Sequence, residues 1–343
     1  MTSYSPQDVY MLTISGNVDN LKEALKQGNN SSEWHFNIVP GVYDLDEKDD
    51  ENYLLQGAFA IHVAAFYDHF ECIVVLQDAG ADIECKDYNG YTPLLVASHQ
   101  GNIASINVLL DRGAVIESKE NHDGNTALHL AAWKGHTACI SVLLDKGADI
   151  ECKDNDRDTA LTTAAHQGHT ECISVLLDRG ADIEGKIDYG LTPLATAALK
   201  GHTTCIGLLL DRGADIESKD YNDNTALSWA AHGGHTACIH VLLDRGADID
   251  SKCFLGYTAL LTAADQGHSE CIGVLLDRGA NIESKTYSGN TTLHIAAELG
   301  YIECTRLLLD RQAIINEDKI DKIQHLQTKQ KFNKKVYIYQ LKL

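Results

Sequence analysis

Apolar residues in this chain follow two short patterns that alternate and then recur. In Thr126 to Lys153, TALHLAAWKGHTACISVLLDKGADIECK, a threonine is followed by Leu128, Ala131 and Ala132, and Gly135 closes the run. His136 opens a second run, whose apolar set Ile140, Val142 and Leu143 predicts a helix with one buried stripe. Thr126 predicts an N-cap, its hydroxyl accepting from a free backbone N–H. Pro93 and Pro193 directly follow the equivalent threonines, at a helix position where the missing N–H costs nothing. The alanine pair predicts close approach of neighbouring helices. Gly147 falls where a helix C-terminus needs a left-handed residue. The polar stretch from Asp149 to the next threonine predicts an extended hairpin, with Gly90, Gly124, Gly190, Gly256 and Gly289 at the turns.

The slot of Thr126 is filled along the chain by Phe59, Thr92, Thr159, Thr192, Thr225, Thr258 and Thr291. The step is 33 residues, with one step of 34 before Thr126. A fixed period of this size predicts a solenoid, in which each unit is too small to bury its own apolar face and stacks on its neighbours. Stretches such as GNTALHLAAWKGHTACISVLLDKGADIE and GYTPLLVASHQGNIASINVLLDRGA resemble ankyrin repeats, with threonine, leucine, the alanine pair and both glycines in register. The resemblance covers residues 53–316 as eight full copies. It implies an all-α repeat solenoid of helix-turn-helix plus β-hairpin units, forming one elongated curved array. Departures are small. Cysteine takes a second-helix slot usually held by an aliphatic residue, Arg157 and Asp223 replace the hairpin glycine, and Gln312 replaces the last helix-ending glycine.

The flanks break the period. Residues 1–28 read as a divergent capping repeat, with Ser5-Pro6 opening a helix, Gly16 ending it, and a second helix from Val18 closed by Gly28. Residues 29–52 form an acidic insertion with a turn at Pro40-Gly41, and 317–343 a basic tail with a possible capping helix through Ile320, Ile323 and Leu326. Net charge is −21, divided as −25 over residues 1–316 and +4 over the tail. An acidic body disfavours nucleic acid as the main ligand and favours a protein partner with a basic or mixed-charge surface. The N-terminal residues show no signal peptide, and no apolar run approaches a membrane span, so no membrane partner is expected.

Ten cysteines raise the question of metal or redox chemistry. Seven share one slot, at 72, 139, 172, 205, 238, 271 and 304, about 8–10 Å apart if units stack as packed helices. A disulfide needs Cα atoms within about 7 Å, so these predict buried free thiols and a reducing compartment, cytoplasm or nucleus. His-x-x-Cys occurs six times, from His69/Cys72 to His268/Cys271, but each unit supplies two ligands where zinc needs four. Cys85, Cys152 and Cys253, nearer the hairpins, are the better redox candidates. A metal or redox thiol protein is therefore the alternative of another class. No catalytic signature is present, so no enzyme and no cofactor are expected.

Function is sought where the copies differ: the two slots before the hairpin glycine, the one after it, and the two before the glycine ending the first helix. The resemblance agrees, since ankyrin proteins bind through hairpin tips and the inner helical face. The candidate partner-binding residues are Tyr88, Tyr91, His99, His122, Asn125, Trp133, Lys134, Asp158, His166, Tyr189, Leu191, Lys200, Tyr221, Asn224, His232, Phe254, Tyr257, Asp265, Tyr287 and Asn290. The same slots hold Asn89, Gln100, Asn155, Asp156, Leu199, Asn222, Leu255 and Glu298. Aromatics on a rigid face are common interface anchors. A tyrosine in such a slot also packs against an adjacent hairpin, which competes with that reading. Trp229 takes the slot of Leu130 and Ile295 and is expected in the core. The chain thus reads as a monomeric, non-enzymatic scaffold that binds another protein. An adaptor recruiting a second protein through the insertion or the tail is the alternative.

Overall fold

The computed structural model describes Tyr4, residues 6–28 and residues 58–311. The expected insertion at 29–52, the tail at 317–343 and Gln312 lie outside the described residues. The chain divides into two compact units, residues 1–182 and 183–343. Unit 1 holds five helix pairs: α1 (Pro6–Ile14) with α2 (Val18–Gly28), α3 (Ala60–Phe66) with α4 (Phe70–Asp78), α5 (Pro93–Gln100) with α6 (Ile103–Asp111), α7 (Ala127–Lys134) with α8 (Thr137–Asp145), and α9 (Ala160–Gln167) with α10 (Thr170–Asp178). Unit 2 holds four: α11 (Pro193–Lys200) with α12 (Thr203–Asp211), α13 (Ala226–His232) with α14 (Thr236–Asp244), α15 (Ala259–Gln266) with α16 (Ser269–Asp277), and α17 (Thr292–Leu299) with α18 (Ile302–Asp310). Within each unit, first helices stack on first helices and second on second, the two-layer stacking of a solenoid.

The threonines act as the sequence predicts. Thr92, Thr159, Thr192, Thr225 and Thr258 have extended backbones and accept from the N–H three residues on. In two copies a buried histidine occupies that third position, and the hydroxyl pairs with the ring instead: Thr126 with His129 Nδ1 at 2.8 Å and Thr291 with His294 Nδ1 at 2.9 Å. Leu94, Leu128, Leu161, Leu194, Leu227, Leu260 and Leu293 are buried, as are the alanine pairs behind them. On the second helices the buried set is Cys139, Ile140 and Leu143, with Val142 only half-buried.

The glycine that ends each first helix has two reasons to be glycine. Its backbone is left-handed, as at Gly101 (φ 80°) and Gly135 (φ 78°). In most repeats it also lies under the imidazole that opens the next repeat's second helix, so that a Cβ on Gly135 would stand 2.8 Å from His169 Nδ1, while Gly267 lies under the Tyr301 ring. These histidines pin repeats together through Nε2–H donated to a carbonyl of the preceding unit: His69 to Ile14, His136 to His99, His169 to Trp133, His235 to Leu199 and His268 to His232. One exception is paired. Asp68 keeps the left-handed backbone (φ 58°), but the next unit has Asn102 in the histidine slot. Asp68 Oδ1 accepts from Ser105 N and Oγ, and Asn102 donates to the carbonyls of Ala65 and Phe66.

A matched pair of variants separates these two reasons. Gly147 is also left-handed (φ 92°), with nothing within 4 Å of its Cβ position. Gly147→Ala is expected to cost about 1–2 kcal/mol from backbone strain alone. Gly135→Ala adds displacement of His169 and loss of its hydrogen bond, about 1 kcal/mol more. Urea midpoints check the order, and equal losses would refute the imidazole contact.

The repeated Asp-Arg-Gly-Ala-Asp-Ile-Glu motif does more than hold a row of solvated charge. Arg179 pairs with Asp145 at 2.8 Å, Lys146 with Asp111, Arg245 with Asp211 at 2.8 Å and Arg278 with Asp244 at 2.7 Å, each bridging adjacent repeats. The glutamates also reach across. Glu84 accepts from Val115 N, Glu117 from Asp149 N, Glu184 from Asp215 N and Glu217 from Asp248 N. These pairs are exposed, worth about 0–1 kcal/mol each. Their importance here is that they account for much of the acidic composition without any partner.

Candidate functional site

From residue 87 onward, each described loop between repeats is closed at its base by one backbone bond, such as Asp87 N to Tyr91 O, Asp154 N to Asp158 O and Asp220 N to Asn224 O. Among the described residues only Lys285 and Thr291 reach β-bridge geometry, so the hairpins are minimal turns. A carboxylate at the base organises the tip: Asp87 Oδ1 accepts from the amides of Asn89 and Tyr91, and Asp154 Oδ1 from Asp156 and Asp158. The single 34-residue step falls in such a loop, Glu120 to Asn125. There the base residue is the longer glutamate, accepting from the amides of His122, Asp123 and Asn125. One extra methylene spans one extra residue. The left-handed turn position is glycine in most loops; Arg157 (φ 63°) and Asp223 (φ 63°) adopt the same backbone without it.

The candidate residues separate by burial. Tyr88, His122, Trp133, Lys134, His166, Tyr189, Lys200, Tyr221, Phe254 and Tyr287 are exposed. Asn125, Asp158, Asn224, His232, Tyr257, Asp265 and Asn290 are half-buried. Tyr91, His99 and Leu191 are buried and are not surface anchors. Tyr91 and Leu191 immediately precede the N-cap, where the chain re-enters the stack and their carbonyls close the loop base. His99 is covered by Trp133 of the next unit, its ring edge-on at 5.7 Å. Trp229, expected in the core, is half-buried: its Nε1–H donates to Asp220 Oδ2 at 3.1 Å, which holds the indole toward the loop.

In unit 1 six candidates, Tyr91, His122, Asn125, Trp133, Asp158 and His166, line one groove of about 560 Å³. Glu120, Asp123, Asp154 and Asp156 complete an acidic wall that the sequence reading had not assembled. Asp158 is pushed up to about 6 by burial, with neighbouring Asp154 and Asp156 raising it further. Burial also raises Asp154. Glu120 and Asp154 cap their own loops, whereas the side chains of Asp123 and Asp156 are exposed and form none of the charged pairs between repeats described above, although the Asp123 carbonyl accepts from Asn155 N of the next loop. Trp133, 39% exposed, forms an aromatic edge, with Lys134 Nζ 5.2 Å from its ring centroid.

In unit 2 the loop tips are aromatic. Tyr189, Tyr221, Phe254, Leu255 and Tyr287 are 60–76% exposed. Successive tips are joined by backbone bonds, Tyr221 N to Tyr189 O at 3.1 Å, Phe254 N to Asn222 O at 2.8 Å and Tyr287 N to Leu255 O at 3.1 Å. Tyr221 and Tyr287 also lie over Gly190 and Gly256 of the preceding loops, where a Cβ would meet them at under 3.0 Å. Each of these two tyrosines thus packs on its neighbour and leaves most of its surface to solvent.

All ten cysteines are free thiols. Burial pushes Cys72, Cys139 and Cys271 up to about 11. The hairpin-side Cys85 and Cys152 are raised by burial too, to about 12 and about 11, which disfavours the thiolate a redox centre needs. Among the described residues no group of three or more His, Cys, Asp or Glu is arranged to hold a metal ion. No described helix is long and apolar enough to cross a membrane.

Comparison with known proteins agrees with the geometry. The family profile described as ankyrin repeats (3 copies) matches in overlapping stretches, 11–120, 61–154, 115–187, 146–220, 184–253 and 250–319. The chain belongs to the ankyrin repeat family, a fold that serves generally as a protein–protein interaction module. It is similar to the crystal structure of the human ASB11 ankyrin repeat domain, with a TM-score of 0.59 and 29% identity, over 66% of this chain and 100% of that one. Shorter likenesses join it to protein phosphatase 1 regulatory subunit 12A of Mus musculus (39% identical over 62 residues, 18% of this chain) and to target of rapamycin complex 2 subunit AVO2 of Saccharomyces cerevisiae (39% over 59 residues, 17% of this chain). These stretches span 6% and 14% of those proteins.

Proposed function

We propose that the chain is a non-enzymatic scaffold that binds a partner protein through its loop tips and first-helix face, and that the unit 1 groove receives a basic segment of that partner. The observation that carries this is the convergence of Trp133, His122 and His166 with five carboxylates on one groove, apart from the acids that tie repeats together. An arginine or lysine entering it would relieve the mutual repulsion around Asp158 and gain an aromatic face on Trp133. The mechanism is rigid presentation: the groove is built by loops whose amides are already capped, so little ordering is left for binding to supply. The names of the relatives, a protein phosphatase regulatory subunit and a target of rapamycin complex subunit, suit a protein that works by holding others.

The test uses a labelled arginine-rich nonapeptide and the full chain, read by fluorescence anisotropy. Asp123→Lys with Asp156→Lys should weaken binding about fivefold or more, and Trp133→Ala by a similar factor. Glu71→Lys with Glu171→Lys makes the same change in net charge on exposed helix positions away from the groove and should change affinity less than about twofold. Equal losses in both double variants would reduce the effect to general charge and overturn the groove assignment.

A further inference from the structure

The unit 1 groove is complementary to cations set close together with no carboxylate among them, and this chain contains one such stretch. Residues 329–335, KQKFNKK, hold four lysines, and no acid occurs anywhere from 322 to 343. No seven-residue stretch of residues 1–316 holds more than two basic side chains. We propose that this lysine-rich segment of a second copy of the chain occupies the groove, so that the protein associates with itself until a more basic partner displaces the segment. The proposal rests on the groove reading above and supplies its occupant from the chain itself. Association of this kind replaces the monomer expected from the sequence.

Three observations select the groove from the rest of an acidic surface. First, many acids elsewhere are engaged. Asp111, Asp145, Asp211 and Asp244 pair with cations of the next repeat, and the loop glutamates accept backbone amides. Second, the groove holds its exposed carboxylates together. Asn155 donates through N to the Asp123 carbonyl at 2.7 Å and through Nδ2 to the His122 carbonyl at 2.9 Å, which joins the loops that carry Asp123 and Asp156. Asp154 feels both charges: burial raises it most, and Asp156 and Asp123 raise it further. Ammonium groups entering there relieve that repulsion. Third, the indole at the groove's edge already accepts a lysine. Lys134 Nζ stands 5.2 Å from the Trp133 ring centroid, so a segment of lysines flanking Phe332 finds both an ammonium-binding and an apolar surface on Trp133.

The segment comes from a second copy. The four helix pairs of unit 2 separate it from the groove along the chain, and α18, which precedes it, packs on α16 and α17 in the last described layer of that unit. Within one chain the segment would have to return past those repeats, whereas a neighbouring copy presents it directly. The contact is heterologous, groove on one side and segment on the other, so each copy keeps one of each for a further copy.

Sedimentation equilibrium of the full chain at low salt tests this. The average mass should rise above the 37.5 kDa of one chain as concentration increases. Asp123→Lys with Asp156→Lys, and separately Lys334→Glu with Lys335→Glu, should each weaken association about tenfold or more. These variants move net charge in opposite directions, so general repulsion does not explain a loss in both. Mixed in equal amounts they should associate again, because one keeps its segment and the other its groove. Glu71→Lys with Glu171→Lys should change association less than about twofold. A mass fixed at one chain, or association that survives both variants, would overturn the proposal. A fixed mass together with tighter binding of the arginine-rich nonapeptide by the Lys334/Lys335 variant would place the segment in its own chain's groove and reject the second copy. Nonapeptide binding that needs Asp123 and Asp156, without self-association, would keep the groove reading and reject this inference. Nonapeptide binding indifferent to those two residues would reject the groove reading itself.

Discussion

Leu227→Ala should lower the stability of unit 2 by about 2–5 kcal/mol, while Tyr221→Ala, six residues earlier, should change it by about 0.5 kcal/mol or less. Leu227 is 2% exposed on α13, which packs between α11 and α15. Removing three heavy atoms there leaves a cavity bordered by both neighbours. Because stability in a repeat array lies largely in the interfaces, the loss should reach the adjoining repeats. Amide exchange should speed up in α11 and α15 as well as in α13. Tyr221 is 69% exposed, and the part it buries lies over Gly190, a contact with backbone and a glycine, so truncation leaves no cavity. Urea midpoints of the two variants check the contrast. A Leu227→Ala loss confined to α13, or a Tyr221→Ala loss above about 1 kcal/mol, would refute the division between stacking and solvent-facing positions.

The fold was legible because its determinants recur. The slots of Thr126, Leu128, Ala131, Ala132 and Gly135 each do one job in most copies, so the period shows caps, contacts and stops together. The departures were legible as departures, but their compensation was not. Asp68 replaces a glycine because Asn102 replaces a histidine 34 residues later, and only stacking shows that the two slots touch. The candidate site was less legible. A slot varies between copies when it faces solvent, and it also varies when each loop packs its own base differently. Tyr91 and Tyr221 show the two cases, buried and exposed, with the same residue type. Trp229 misled in the other direction. Its slot is apolar in most copies, but Asp220 supplies an acceptor that draws the indole toward the loop. The groove acids came from loops on adjacent repeats and read individually as turn formers. Only their convergence around Trp133 separates Asp123 and Asp156 from the many aspartates that cap or pair.

The stability of unit 1 should carry a pH-dependent component from His62 that His62→Gln removes. His62 is fully buried, with Nδ1 accepting from Phe59 N at 3.0 Å and Nε2–H donating to Tyr91 O at 2.8 Å. Both nitrogens are thus committed as in a neutral ring. A proton on Nδ1 would face a donor, and the charge would be buried. Burial pushes the pKa from 6.5 down to about 4. A depressed histidine pKa means that the unfolded chain binds more protons between those values. The stabilisation is therefore complete above about pH 6.5 and is lost as pH falls toward 4, by about 3 kcal/mol for a shift of this size. Asp87 works against it: burial raises its carboxyl from 3.8 to about 6, so its own contribution falls as pH rises across that interval. The two slopes oppose in the parent protein, which is why the variant, and not the parent curve, isolates the histidine. His62→Gln should be less stable at pH 7 by about 1–3 kcal/mol, because a buried cap is replaced imperfectly. Between pH 6.5 and 4 its stability should fall less steeply than the parent's, the difference accumulating to about 3 kcal/mol. Urea midpoints at half-unit pH intervals measure both curves. Parallel curves would show that His62 is protonated in the folded state at ordinary acidity, and that its buried hydrogen bonds do not fix a neutral ring.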